Sequence, residues 1–184
     1  MKRWICLIAA VMMMALPLLT ASAVEIPTLE FVSAGLKSQQ RFVVYSAPDT
    51  TSWRGHSGKA AVSTNGTVWC AGWEDGWLLV MYETNAGHIR IGYIRGSSIK
   101  GARPVSQDLH FVNRKVPVIA SCTFTDDPVT LSTSVFTLTA GDEVTMLAMY
   151  GGWAYVETVT PNYKKTIRGF IPASCLDLLV LEDF

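Results

Sequence analysis

The chain has 184 residues, with 15 Lys and Arg against 15 Asp and Glu, and 49% of it is hydrophobic. So balanced a charge offers no basic face to displace counterions from phosphates, which excludes nucleic acid as an expected partner. The length suits one domain of about 150 residues or two of about 60 to 80, and domains that small must make full use of their few large aromatics.

Residues 1–23 read as an export signal. Lys2-Arg3 form the positive start, the stretch 5–19 is apolar apart from Cys6 and a break at Pro17, and Ala21-Ser22-Ala23 is a small-x-small cleavage site. The apolar run is shorter than the roughly 20 residues that span a bilayer. The mature chain is therefore expected to begin near Val24, to be secreted, and to have no membrane attachment once the signal is removed. Residues 24–39 read as an N-terminal extension.

The first unit covers residues 40–99. Residues 41–45 read as a strand, Ala47-Pro48-Asp49 as a turn, and residues 62–69 as two short strands around Asn65-Gly66. Asn-Gly between β-formers is a strong hairpin signal, because both central residues of a type I′ turn need positive φ. Residues 77–83 and 89–94 form a second hairpin whose loop is Thr84-Asn85-Ala86-Gly87-His88. Residues 100–115, broken by Gly101 and Pro104, read as a linker. Within it Leu109 and Phe111 are spaced to cover a sheet edge or to pack the units together.

The second unit covers residues 116–184 and reads the same way. Asp126-Asp127-Pro128 stands where the first unit has Ala47-Pro48-Asp49, residues 144–149 form a strand, and residues 160–165 are the variable hairpin loop. The likeness is an internal repeat. Gly76-Trp77-Leu78-Leu79-Val80 recurs as Gly152-Trp153-Ala154-Tyr155-Val156 at an offset of 76, and Gly92-Tyr93-Ile94 as Gly169-Phe170-Ile171 at 77, so one hairpin loop has gained a residue. No window outside the signal has helical periodicity, and the fold class is all-β.

The ordered set of strand, turn, Gly-Trp-x-x-Val strand, Gly-aromatic-Ile and closing Ile99 or Leu176 resembles the bacterial SH3-like (SH3b) domain, present twice. The resemblance covers most of the mature chain. It implies two tandem small SH3-like β-barrels behind an N-terminal signal helix, each of five or six strands closing on a narrow interior. Burying an indole is worth on the order of 4 to 6 kcal/mol before entropy, which is comparable to the net stability of a small domain. Trp77, Trp153, Tyr93 and Phe170, shared by both units, are therefore expected in or beside the cores.

What the halves do not share points toward binding. Trp53, Trp69 and Trp73 have no aromatic counterpart in the second half, and Trp53 and Trp73 fall in segments expected to be solvated loops. Exposed indoles ask for a partner. Trp53, Arg54, His56, Trp73, Glu74 and Asp75 are accordingly the candidate ligand-binding residues. Trp53 has the alternative of folding over Tyr45 or plugging the interface between units.

The resemblance implies a non-catalytic recognition module for cell-wall peptide, peptidoglycan or another extracellular polymer. In it Glu74 and Asp75 would meet ammonium groups and Arg54 a carboxylate. The alternative is an extracellular protein-interaction or inhibitory protein of the same fold. No cofactor, metal site or catalytic residue is expected. The histidines stand singly, without Cys-x-x-Cys or His-x-His spacing, and Cys70 lies in a strand-like context unlike that of an activated thiol. In a closed barrel the first and last strands meet, which makes Cys122 and Cys175 the candidate disulfide.

Overall fold

The computed structural model describes residues 24–33, 36, 40–63 and 68–181. The signal segment and the Asn65-Gly66 turn lie outside the described residues. Within them the fold is all-β, with twelve strands, three short 3-10 turns and no α-helix. No helix among them is long and apolar enough to cross a membrane.

The strands fall into two sets of six. In the first unit these are β1 (Val32–Ser33), β2 (Arg41–Val43), β3 (Ala61–Ser63), β4 (Val68–Glu74), β5 (Trp77–Glu83) and β6 (Ile89–Arg95), closed by a 3-10 turn at Gly96–Ser98. The second unit has β7 (Arg114–Pro117), β8 (Cys122–Phe124), β9 (Phe136–Leu138), β10 (Glu143–Tyr150), β11 (Trp153–Val159) and β12 (Thr166–Pro172), with its 3-10 turn at Ala173–Cys175. Each set forms an antiparallel four-stranded sheet, β1-β4-β5-β6 or β7-β10-β11-β12, and a two-stranded one, β2-β3 or β8-β9. The ladders do not close into a barrel.

Two expectations need correction. The extension at 24–39 is not wholly outside the first unit, because Val32 and Ser33 pair with Cys70 and Trp69 and give β4 the edge partner that β7 gives β10. The strands flanking Asn65-Gly66 do not pair with each other among the described residues: β3 joins β2, whereas β4 joins β1 and β5. Asn-Gly chemistry signals a reversal of direction, but tertiary packing decides which sheet each arm enters.

The repeated motifs now acquire physical causes. A Cβ at Gly92 would stand 2.5 Å from Val44 Cγ1 and 2.8 Å from the Tyr45 carbonyl oxygen, and one at Gly169 would stand 2.5 Å from Phe124 Cε1 and 2.6 Å from the Thr125 oxygen. At both places another strand crosses directly over the glycine. Tyr45 and Tyr93 exchange two backbone hydrogen bonds there (3.0 and 2.6 Å), as do Thr125 and Phe170 (2.9 and 2.7 Å). A larger residue would force these crossings apart. Both long hairpins also carry a register shift at the same place, between Cys70 and Gly72 and between Met146 and Ala148. The residues in the shifts, Ala71 and Leu147, both point into the space between the units.

Alternation divides each sheet between two cores. In β5, Leu78, Val80 and Tyr82 enter the first unit's core, whereas Leu79 joins Leu29, Ala71, Ile91, Tyr93, Leu147, Ala148, Tyr155 and Phe170 in a third cluster shared by both units. Trp77 and Trp153 are half-buried against that shared cluster. Chain crossings reinforce it. Residues before the first unit run alongside the second unit's sheet, where Leu29 N–H donates to the Met149 oxygen (2.7 Å) and Met149 N–H to the Pro27 oxygen (2.8 Å). Reciprocally, Leu109 N–H donates to the Trp73 oxygen (2.6 Å) and Trp73 N–H to the Gln107 oxygen (2.9 Å). Each unit's lead segment is thus a strap on the other unit, and residues 107–109 are part of the packed structure.

Candidate functional site

The structure separates the six candidate residues. Trp53 and Trp73 are each only 5% exposed, so neither is the solvated loop indole expected, and Trp53 takes the alternative of packing between the units. Trp53 crosses to the second unit and joins its core beside Val116, Phe124 and Ile167, and its backbone N–H donates to the Thr166 oxygen (2.8 Å). Trp73 lies within β4 in the first unit's core. Its Nε1–H donates to the Val105 oxygen (2.7 Å), and the Arg103 guanidinium lies over its ring at 4.4 Å. The physical reason is the one already given for Trp77: two thin cores gain more from a buried indole than a loop gains from displaying one.

Glu74 and Asp75 occupy the end of a hairpin. Asp75 (φ 47°) and Gly76 (φ 82°) both have positive φ, which makes this a tight primed turn and accounts for the Asp-Gly pair. Glu74 faces inward. Its Oε2 accepts from the Tyr93 hydroxyl (2.7 Å) and from Arg168 Nη1 (2.6 Å), while Arg168 Nε donates to Glu157 Oε2 (2.7 Å). Arg168 Nη1 also donates to the Tyr93 hydroxyl (2.8 Å), so four side chains from both units share one polar lock. Burial raises the Tyr93 phenol well above its ordinary value, which keeps it a neutral donor. The Tyr155 hydroxyl is fully buried nearby, against Tyr93 and Arg168. Outside the lock, Glu74, Asp75, Asp108 and His110 border an open hollow of about 540 Å³.

Arg54 and His56 belong to a different place. Residues 44–60 connect β2 to β3 and curl back over the first unit. Arg54 is set by its own backbone surroundings: Nε donates to the Val44 oxygen (3.2 Å), Nη2 to the Ala60 oxygen (3.1 Å), and the guanidinium lies 5.0 Å over the Tyr45 ring. Together with the exposed His56 and Lys59 it walls an open groove of about 930 Å³. Arg41 from β2, and His88 and Arg90 from the β5–β6 hairpin, also line it. Arg41, Lys59, His88 and Arg90 were not among the sequence candidates. Nothing local marks them, because they come from three separate segments.

The second unit treats the same connection differently. Its loop 125–135 is shorter and closed by its own hydrogen bonds. Asp127 accepts from the Ser132 hydroxyl (2.6 Å), from the Thr130 hydroxyl, and from the Thr130 and Val129 N–H groups (2.8 and 3.2 Å). Burial pushes the Asp127 carboxyl up, but the Ser132 and Thr130 donors outweigh it and hold it below the ordinary value. Burial raises Asp126, against the pull of the Thr133 hydroxyl and of Arg90, whose Nε stands 3.4 Å from its Oδ2.

Cys70, Cys122 and Cys175 are free thiols, so the expected Cys122–Cys175 disulfide is not formed. The two are neighbours nonetheless: burial, followed by the adjacent Cys175, pushes the Cys122 thiol up to about 12. Cys70 is fully buried, and burial pushes it to about 12 as well, the opposite of what a nucleophile requires. Among the described residues no group of three or more His, Cys, Asp or Glu is placed to hold a metal ion. No protein-family model matches the chain, and no curated protein or solved structure is significantly similar to it.

Proposed function

We propose that the chain is an exported, non-catalytic recognition protein of two SH3-like units that binds cell-wall peptide or another extracellular polymer through the groove of the first unit. The observation that carries this reading is an asymmetry. The two units correspond strand for strand, and their largest difference is the β2–β3 connection, 44–60 in one and 125–135 in the other. Fold constraints act on both copies, so an elaboration in one copy that walls a groove is best explained by what the groove holds. Arg54 and His56 keep the role expected of them, with Arg54 suited to a carboxylate. Trp53 supports the groove from behind as the loop's anchor.

The test is retention of residues 24–184 on purified insoluble peptidoglycan, beside a His56→Ala, Lys59→Ala double variant. Retention of the parent and a loss of most binding by the variant supports the reading. Retention of neither overturns it for that wall chemistry.

A second reading, a protein-interaction or inhibitory protein with no wall affinity, is favoured by the apolar residues Val129 (52% exposed) and Leu131 (59% exposed) on the second unit. Capture of a protein partner that a Val129→Ser, Leu131→Ser variant no longer holds, without wall retention, would select it.

A further inference from the structure

We propose that the groove walled by residues 44–60 is a binding site for a flexible anionic polymer that carries carboxylate or phosphate groups. The inference rests on the recognition reading and names the ligand chemistry for the same site.

The groove concentrates charge that the whole chain lacks. Arg41, Arg54, Lys59 and Arg90 line it with His56 and His88, while Glu83 is the one carboxylate among the described lining residues. Arg90 is partly committed to Asp126. The surplus is therefore positive in a chain with 15 basic and 15 acidic residues. A concave surface of one sign focuses its field and raises the local concentration of opposite charge.

The fold does not require these charges. Tyr82 faces Arg90 across the first hairpin, and Thr158 faces Ile167 at the equivalent position of the second. One residue before the inward side chain of its strand, the first unit has Arg41 ahead of Phe42, and the second has Ser121 ahead of Cys122. The equivalent framework thus stands with Ser and Ile where the first unit spends two arginines.

The chemistry of the lining narrows the ligand. Guanidinium groups match carboxylate and phosphate oxygens in a two-pronged geometry, and Arg54 is held in place by two backbone carbonyls before any ligand arrives. Tyr82, the one Phe, Tyr or Trp among the described lining residues, is buried, so the groove offers bases no indole, phenol or phenyl face to stack on. The lining selects for charge on the ligand.

The experiment measures binding of residues 24–184 to inorganic polyphosphate and to poly-glutamate, with dextran as the neutral polymer. Binding to either anion, weakening roughly tenfold or more as salt rises from about 50 to 200 mM, is expected from ion release. The preferred probe identifies phosphate or carboxylate as the source. Arg41→Glu and Lys59→Glu should each weaken binding about tenfold, because both side chains are exposed and their replacement leaves the core intact. Lys115→Glu, an exposed change on the second unit, should leave it unchanged.

Equal binding to dextran, or an equal loss with Lys115→Glu, overturns the proposal. Retention on peptidoglycan that survives Arg41→Glu and Lys59→Glu overturns the anionic site while leaving recognition standing. A parent chain that binds neither wall nor polyanion removes both readings.

Discussion

Loop 44–60 and loop 125–135 leave equivalent strands and return to equivalent strands, yet they solve their backbone problem in different ways. The shorter loop is closed largely by its own groups: Asp127 gathers hydroxyl and N–H donors from Val129, Thr130 and Ser132, while Asp126 meets Arg90 and the Ile91 N–H (3.1 Å) of the first unit. The longer loop also has a local carboxylate turn, in which Asp49 accepts from Thr51, but it adds an anchor in its neighbour by inserting Trp53 into the second unit's core. That anchoring leaves its other face, with Arg54, His56 and Lys59, pointing into a groove. A loop built around its own carboxylate is largely a local structure. A loop pinned by a distant indole is a wall that can be furnished with charge.

The comparison breaks most severely at the anchor. Trp53→Ala should cost about 3–5 kcal/mol in denaturant unfolding, through lost burial and the cavity left behind. The same variant should lose groove binding even where it remains folded. A loss below about 1 kcal/mol would show that the loop holds its shape without the second unit.

The polar lock tests whether the units behave as one. Arg168 stands opposite Glu157 as Ile91 stands opposite Met81, so Arg168→Ile places in the second unit the side chain that the first already uses. It should cost about 2–4 kcal/mol, because Glu74 and Tyr93 keep their burial and lose their shared donor. Unfolding should remain a single transition in the parent chain and separate into two in the variant if the lock couples the units.

Asp127→Ala, which opens the shorter loop, should cost about 1–2 kcal/mol at pH 7. The sign of its pH dependence follows from a native carboxyl held below its ordinary value. The stabilisation is fully present above the unfolded value of about 3.9 and fades as pH falls through the lower native one, so parent and variant should converge in acid. Asp126, raised by burial, works in the opposite direction and costs less stability as pH falls. Chemical denaturation of the parent and Asp127→Ala at pH 7 and pH 3 measures the difference.

The smallest effect concerns the thiols. Cys70, Cys122 and Cys175 are all buried, so a thiol reagent should label none of them rapidly in the native chain 24–184 and all three after unfolding. Rapid labelling of Cys122 and Cys175 alone would mean that the second unit's end opens independently of its core.

Much of the fold was legible because strand chemistry is local. Residues 77–83, 89–94 and 144–149 alternate and branch as strands must, and the Gly-Trp and Gly-aromatic-Ile phrases marked the repeat before any contact was visible. The straps left a trace too, in the recurrence of Leu29-Glu30-Phe31-Val32 as Leu109-His110-Phe111-Val112 at an offset of 80, but residues 24–39 read as an extension and 100–115 as a linker. Asp75-Gly76 has the same turn chemistry as Asn65-Gly66, yet the segment around Trp73 read as a solvated loop and not as a strand running to Glu74. The site was only half legible. Arg54 and His56 sit where a loop peculiar to one unit placed them, but Arg41, His88 and Arg90 enter the groove from other segments.

By itself the sequence determined an all-β chain, its two-fold repeat and the identity of most core strands, since these follow from side-chain periodicity and turn stereochemistry along the chain. The tertiary structure alone decided that Trp53 and Trp73 turn inward, that each unit's lead segment crosses to the other, and which charges share a groove. Those outcomes depend on how much apolar area two thin cores can exclude from water together, a quantity that belongs to the assembled sheets and to no single stretch of residues.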